Sequence, residues 1–279
     1  MVEDLSTAMH LENPTKVELA KSLGVSRASL YYEPTLPQKD WLLKIRIEQT
    51  LHEHPSYGHK RLAPALHVNK KRIRRVMRLF GIKPYRRTGK KLRKARDLGQ
   101  IAAPYQNWLM LIPFPEEPGV VWVSDFTYIP FHGRFVYLAT IIDLFTREVV
   151  GWSVWTAHSS QLVLLALIDA LEKHPAAKYL HSDQGQEYKS QTYCGLAEQA
   201  GITISMSRKS SPWENGYQES FYGKFKTDLG DPGRFKTLGE LTAEIYLLIH
   251  NYNHTRIHIS LKMPPSAFAD RQRNQVSLT

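Results

Sequence analysis

The 279-residue sequence predicts an α/β protein in which small all-α units precede a mixed five-stranded sheet with helices. The front third is strongly basic and breaks into short helical segments. The remainder contains strand-like runs rich in β-branched and aromatic residues, three in succession before helices begin to alternate with strands. The one cysteine, Cys194, excludes an internal disulfide and a multi-cysteine zinc site. No apolar run reaches the roughly 18 residues of a membrane span, and the start lacks a signal-peptide pattern.

The charge is distributed unevenly along the chain. Residues 1–104 contain 22 Lys and Arg against 9 Asp and Glu, a net charge of +13, whereas the rest contains 15 against 17, a net of −2. A basic front of this kind favours a polyanionic partner, most simply nucleic acid. A solvated basic surface is the alternative interpretation.

The first predicted unit, residues 1–35, has a helix-turn-helix pattern. In VELAKSLGVSRASLYY (17–32), an apolar stripe is followed by Gly24 for the turn, Val25 for the core and Ser26 as the next cap. A plain helical hairpin is the alternative. If the unit binds DNA, its second helix would present Arg27, Ser29 and Tyr31 or Tyr32 to a groove.

The second predicted unit, residues 38–84, follows a break at Pro34 and Pro37 and contains three helices. WLLKIRIEQTLHEH, HKRLAPALH and NKKRIRRVMRLFG are their sequences, and the third begins at Asn69 and ends at Gly81. Cations crowded on one side of a short helix repel one another unless phosphates lie opposite, so we expect DNA contact there. These cations are Lys70, Lys71, Arg74, Arg75 and Arg78.

Residues 85–115 are predicted to form a basic linker that follows the phosphate backbone and orders on binding. The segment YRRTGKKLRKAR (85–96) is more basic still and only weakly apolar. Its predicted DNA-binding residues are Arg86, Arg87, Lys90, Lys91, Arg93 and Lys94.

Residues 116–235 are predicted to form the α/β core, and residues 236–279 a C-terminal helix and tail. Short connections predict that the first three strands form an antiparallel meander. This order of elements is that of the ribonuclease H-like fold. The predicted strands are 119–130, 134–145, 147–156, 178–183 and 202–207, and the helices are 159–174, 188–201, 213–229 and 238–253.

Three acidic residues are candidates for one site. Asp125 interrupts the apolar first strand, Asp183 ends the fourth, and Glu219 lies in the helix after the fifth. The first and fourth strands are neighbours in this order of elements, so the carboxylates can meet. They would repel one another without a metal, and Mg²⁺ or Mn²⁺ prefers such oxygen ligands. Two such ions about 4 Å apart can activate an attacking oxygen and stabilise the leaving oxygen at a phosphodiester.

Each of the three carboxylates also has a structural alternative: a strand-end cap, an Asx turn before Gly185 and a solvated helix residue, respectively. Rival acids are Asp143, Glu187 and Glu214. Asp143 is expected to cap the turn at Thr146. Glu214 is expected to lie in the first turn of its helix, where an acid suits the helix dipole.

The sequence resembles the transposases of the bacterial insertion-sequence family numbered three, which carry a retroviral-integrase-like core. SDFTYI, HSDQGQEY and SPWENGYQESFYGKFK carry the resemblance around Asp125, Asp183 and Glu219, with 35 residues between the last two. HPSYGHKRL and NYNHTRIHISLKMPPSAF resemble the family's segments before and after the core. The resemblance covers roughly residues 15–268.

The resemblance implies a DDE-type transposase whose acidic triad holds two divalent ions and catalyses both cleavage and strand transfer. Water cuts at the ends of the mobile element, and the freed 3′-hydroxyl then attacks another phosphodiester. Lys226, two helical turns after Glu219, would lie against the DNA end. The implied partners are double-stranded element ends, target DNA, further copies of the chain forming at least a dimer on paired ends, and possibly the element's first-frame protein. The implied location is the bacterial cytoplasm, in association with the nucleoid.

Two other functions remain open from the sequence. A ribonuclease H-like nuclease would use the same metals without joining strands. A non-catalytic regulator would use only the helical front to bind DNA.

Overall fold

The computed structural model describes residues 15–31, 35–85, 104–208 and 216–276. The chain divides into two compact units, residues 1–46 and 47–279. The predicted domain boundaries stay predictions. Within the described ranges, no helix has the length and apolar character needed to cross a membrane.

The first unit contains helix α1, Lys16–Ser22, which begins with a capping box formed by Thr15 and Glu18. Gly24 turns the chain with a φ of 67°, as predicted. The next segment, Arg27–Tyr31, is a 3₁₀ helix and not the predicted α-helix. None of its residues is buried, so no packing stabilises a longer α-helix there. The predicted core position of Val25 is also wrong, because this short turn leaves its side chain 44% exposed.

Three helices follow, as the sequence predicts: α2 (Leu36–Glu53), α3 (His59–Leu66) and α4 (Lys70–Leu79). The predicted chain break at Pro37 is wrong. This residue lies in the first turn of α2, where a proline costs no helical hydrogen bond. Asn69 caps α4 by accepting a hydrogen bond from the backbone N–H of Lys71, as predicted.

The core sheet has five strands in the order β3-β2-β1-β4-β5. Strands β1 to β3 form the predicted antiparallel meander, while β4 pairs in parallel with both β1 and β5. The predicted adjacency of the first and fourth strands is therefore confirmed. The strands are β1 (Val121–Phe131), β2 (Arg134–Asp143), β3 (Val149–Trp155), β4 (Tyr179–Ser182) and β5 (Thr203–Met206).

Helices pack on both faces of this sheet. Helices α5 (Ser160–Lys173) and α6 (Gln191–Gln199) share one apolar cluster with it. Helices α7 (Gly216–Leu229) and α8 (Leu238–His254) share the other. On the first face α5 approaches β3 so closely that a Cβ on Gly151 would lie 2.4 Å from the carbonyl oxygen of Ala166.

A final helix, α9 (Pro265–Val276), lies in the segment predicted as a tail. Ala269 on α9 is fully buried. The Ser266 hydroxyl donates to the carbonyl of Asn253 near the end of α8. The tail is therefore packed against the same unit as the sheet.

Candidate active site

The register of β1 and β4 places two of the predicted carboxylates beside each other. Val123 pairs with His181 in this parallel ladder. Asp125 lies two residues further along β1, and Asp183 lies two residues after His181, directly past the end of β4. Because side chains alternate with a period of two and neighbouring strands are about 4.8 Å apart, both carboxyl groups are directed to one region at the sheet edge.

Helix α7 carries the third carboxylate and is fixed to the sheet by buried polar contacts. The fully buried Gln218 donates to the carbonyls of Val123, at 2.6 Å, and Thr140, at 3.2 Å. The hydroxyl of Tyr222 donates to the carbonyl of Asp125 at 2.6 Å. These contacts lie on either side of Glu219 in the helix, and therefore hold its backbone over β1.

The carboxylates affect one another electrostatically. Burial, followed by the negative charge of Asp183, raises the pKa of Asp125 to about 7, and Glu219 contributes in the same direction. The backbone N–H of Phe126 and the positive charge of Lys226 act against this rise in pKa. A carboxyl group with so high a pKa lacks sufficient positive charge around it, which is the condition that a cation would relieve.

Asp183 follows the end of β4, and its Oδ1 accepts the backbone N–H of Gly185 at 2.8 Å. This contact forms the Asx turn that the sequence offered as the structural role of Asp183. Asp183 is exposed as a whole residue. Burial of its carboxyl group nevertheless raises the pKa of Asp183, and the negative charge of Glu187 raises it further. Glu187 itself forms an ion pair with His158 at 2.8 Å.

The donor set fits a hard divalent cation in chemical type, since it consists of carboxylate oxygens. Glu219 is exposed, whereas Asp125 is half-buried. Among the described side chains, no three His, Cys, Asp or Glu residues form a group that could hold a metal ion. Asp125, Asp183 and Glu219 thus do not form a metal-binding group as the described structure stands.

Of the rival acids Asp143 and Glu214, the described structure tests Asp143 alone. The prediction that Asp143 is structural is confirmed: its Oδ1 accepts from the backbone N–H and the hydroxyl of Thr146, and its Oδ2 accepts from Gly119. Glu214 lies outside the described residues.

The predicted DNA-binding side chains are mostly exposed. On α4, Lys70, Lys71, Arg74 and Arg78 are exposed, whereas Arg75 is half-buried and in contact with other groups. In the first unit Arg27, Ser29 and Tyr31 are exposed. The remaining predicted contacts, Arg86, Arg87, Lys90, Lys91, Arg93, Lys94 and Tyr32, lie outside the described residues.

Comparison with known proteins identifies the family. Two family profiles, each described as "Integrase core domain", match residues 115–212 and 200–265. The transposase for insertion sequence element IS904 of Lactococcus lactis is 34% identical, and the alignment covers 79% of this chain and 90% of that protein. This chain belongs to the insertion-sequence transposases with an integrase core.

A second transposase and a solved integrase structure are also similar to this transposase. The putative transposase InsK for insertion sequence element IS150 of Escherichia coli is 31% identical over 88% of this chain and 89% of its own length. A solved structure of the HTLV-2 integrase catalytic core domain in complex with magnesium matches 55% of this chain and 98% of that chain, with 16% identity and a TM-score of 0.44. The two transposases and the two family profiles together show that the chain is a DNA transposase with an integrase core domain.

Sequence reasoning missed the residues that support the transposase's acidic site. Gln218 and Tyr222 read as ordinary helix residues, although Gln218 lies on the apolar side of α7. Tyr188, the last residue of the SDQGQEY motif, is fully buried and packs against Phe126 and Tyr193. A polar residue on the apolar stripe of a helix was the available signal for Gln218.

Proposed function

We propose that Asp125, Asp183 and Glu219 are the catalytic residues with which this transposase cuts at its element's ends and joins the freed 3′-hydroxyl to a second phosphodiester. The observation that carries the proposal is the parallel pairing of Val123 with His181, which come two residues before Asp125 and Asp183 respectively. The raised pKa of Asp125, caused first by burial and then by the charge of Asp183, supports it, because carboxyl groups with perturbed pKa values cluster at functional sites.

The same three residues would hold two divalent ions, Mg²⁺ or Mn²⁺, and closure of the triad around them is part of the proposal. The match to an integrase core that was solved with magnesium is consistent with this choice. Such ions, when bound, supply positive charge that makes an oxygen nucleophilic and stabilises the leaving oxygen. The protein's own contribution is to orient the DNA: Gln218 and Tyr222 fix the helix that carries Glu219, and Lys226 binds a phosphate beside it.

Binding of the DNA ends would rest on the basic front of the chain. In α4 we assign this role to Lys70, Lys71, Arg74, Arg75 and Arg78, whose charges repel one another in the absence of phosphate. The first unit would contribute Arg27, Ser29 and Tyr31, and the linker would contribute Arg86, Arg87, Lys90, Lys91, Arg93 and Lys94.

We further propose that the transposase acts as at least a dimer on two paired element ends, before capturing target DNA. The element's first-frame protein is a possible further partner in this assembly. Because the substrate is chromosomal, we assign the protein to the bacterial cytoplasm at the nucleoid.

The test is to replace each carboxylate with its amide: Asp125→Asn, Asp183→Asn and Glu219→Gln. Each variant should lose cleavage and joining by at least about a hundredfold while binding the element's end, since the amide keeps the shape but not the charge. Strand transfer from a pre-nicked end measures joining separately from cleavage, and it distinguishes a transposase from a nuclease.

The matched control is Asp169→Asn, which removes the charge of a half-buried acid on α5 that pairs with Lys173 and accepts the backbone N–H of Trp152. It should join strands at the normal rate. Near-normal joining by Glu219→Gln would show that the triad is misassigned, and Glu214 would become the candidate.

A further inference from the structure

A cavity of about 500 Å³ lies on the other flank of α7 from Glu219. It is bounded by α3, the part of α7 up to Lys224 and residues 258–260. Its volume falls in the range of about 300–1,000 Å³ typical of ligand pockets. Steps of about 100° per residue place Ser220 and Lys224 on this flank, while Glu219 and Lys226 share the opposite one. Its polar lining comprises Arg61, Arg147, Ser220, Lys224, His258 and Ser260.

Positive charge in and around this cavity is not balanced. Burial, followed by the charge of Arg256, lowers the pKa of Arg61. The acid nearby, Asp228, is paired with Arg256. Burial, followed by the charges of three nearby arginines, lowers the pKa of Lys224 to about 8. Clustered cations without sufficient counter-charge are unfavourable for the fold alone, and a bound anion would compensate them.

Two polar atoms at the cavity have unused hydrogen-bonding capacity. Nη1 of Arg147 and Nδ1 of His258 are both buried and have no hydrogen-bond partner among the described residues. An unsatisfied buried donor costs about 1–3 kcal/mol, so such atoms call for an explanation. The imidazole of His258 is neutral at pH 7, because burial and the neighbouring cations lower its pKa to about 4. A neutral imidazole can carry its proton on Nδ1 and donate it to a ligand.

The cations are held in place before any ligand arrives. Nε of Arg61 donates to the carbonyl of Ile257 at 3.1 Å. The guanidinium of Arg147 lies 4.2 Å from the ring centre of Tyr217, and Nζ of Lys224 donates to Ser220 at 2.9 Å. Side chains fixed in this way lose little conformational entropy on binding, which favours affinity.

We propose that this cavity binds a phosphate group of a DNA strand that crosses α7 from the acidic site. Planar guanidinium groups and a lysine suit phosphate, which accepts several charge-assisted hydrogen bonds at once. A DNA strand is the source that the location favours, because α7 would then contact the same substrate on both of its flanks. This inference rests on the proposed function, in which the opposite flank of α7 receives DNA. A free phosphate compound is the other source of the same chemistry.

The experiment measures binding of full-length protein to an arbitrary DNA duplex as a function of salt concentration. The variant Lys224→Gln/Arg147→Gln should bind at least about tenfold more weakly at 0.1 M salt, and its salt slope should be smaller by about 0.9, because one phosphate contact is lost. Lys178→Gln/Lys236→Gln removes the same charge from exposed positions outside the cavity and should retain the native slope.

Thermal unfolding without DNA checks that the fold is intact. Burial and, after it, the charges of the neighbouring arginines disfavour the charged form of Lys224. Lys224→Gln alone should therefore unfold at the same or a higher temperature, and its salt slope should fall by part of the loss of about 0.9 expected for the double variant. An unchanged slope in this variant, or an equal change in the control pair, would overturn the proposal.

Pyrophosphate distinguishes the two sources of phosphate. At constant ionic strength it should compete with DNA for the native protein and not for the double variant. If the double variant loses stabilisation by pyrophosphate but binds DNA as the native protein does, the cavity takes a free phosphate and the assignment to DNA is wrong. DNA binding needs no catalysis, so failure of the amide test would leave these results unaffected.

Discussion

Two lysines only two residues apart on α7 have different surroundings. Nζ of Lys226 lies 4.6 Å from the ring centre of Tyr128 on β1, and its charge lowers the pKa of Asp125. Lys224 instead belongs to the cationic cavity. Each residue of an α-helix turns the chain by about 100°, so Lys224 and Lys226 point in directions about 160° apart. This explains why two lysines that are close in sequence lie at different sites.

At this scale we predict that Lys226→Ala weakens binding of the element's end and slows joining by about tenfold or more, with the divalent-metal requirement unchanged. Its ammonium lies beside the carboxylates, where it would hold a DNA phosphate, and it is a poor general base at neutral pH. End-DNA affinity and strand-transfer rate measure the two effects. Lys226→Arg should restore most of the affinity, and an equal loss from the exposed Lys236→Ala would mean that only total charge matters.

At the scale of elements, the position of Glu219 depends on how α7 is attached to the sheet. Thr140 of β2 lies opposite Asp125 in the antiparallel ladder and donates its hydroxyl to Gln218 at 3.1 Å. It also lies 2.9 Å from the hydroxyl of Tyr222. One buried polar network therefore connects two strands and the helix directly beneath the acidic residues.

We predict that Tyr222→Phe lowers the free energy of unfolding by about 1–3 kcal/mol, because the buried carbonyl of Asp125 loses its donor. Joining should slow as well, since that donor links the backbone of Asp125 to the helix carrying Glu219. Urea unfolding and a strand-transfer assay measure these quantities. Tyr246→Phe, at a tyrosine that is 53% exposed, is the control and should change stability by less than about 0.5 kcal/mol. Unchanged stability in Tyr222→Phe would show that the network does not support the site.

The strands and long helices of the core were predictable because their patterns are local. β-branched runs bounded by turns mark β1 to β3, and the asparagine cap marks α4. The adjacency of Asp125 and Asp183 followed from the order of elements alone. By contrast, the 3₁₀ form of Arg27–Tyr31 depends on what covers the segment, and the role of Gln218 depends on carbonyls about 80 to 95 residues away in sequence. Local patterns do not contain such information.

At the scale of the whole molecule, positive charge concentrates in the front third of a chain whose acidic site lies in the back. Exposed cations on α4 lie in the same compact unit as the sheet. Two hydrogen bonds link the helical segment to Ile257, which lies just after α8. Tyr57 makes one of them and Arg61 the other. Cutting the chain between these parts would therefore disturb both, and the basic segment is better tested by substitution.

We predict that Lys70→Gln/Lys71→Gln/Arg74→Gln/Arg78→Gln in the full chain weakens end binding strongly at moderate salt. The salt slope should fall by about 0.9 for each phosphate contact that is lost, since each contact releases condensed counterions. Fluorescence anisotropy over a series of salt concentrations measures it. The fold should persist, because all four side chains are exposed. A salt slope equal to that of the native protein would remove α4 from the DNA interface.

The contacts of Tyr57 and Ser56 with Ile257 and Arg256 join residues 200 positions apart. During synthesis Tyr57 leaves the ribosome long before its partner Ile257 is made. This tyrosine, which is buried in the folded protein, therefore stays exposed to solvent while the sheet is synthesised. Closure of so long a loop is also slow, because it requires the intervening chain to be ordered first. A nascent chain that stops before Arg256 would thus lack the residues that Ser56 and Tyr57 contact in the folded protein. The segment around Ser56 and Tyr57 can therefore dock only after Arg256 and Ile257 have been synthesised.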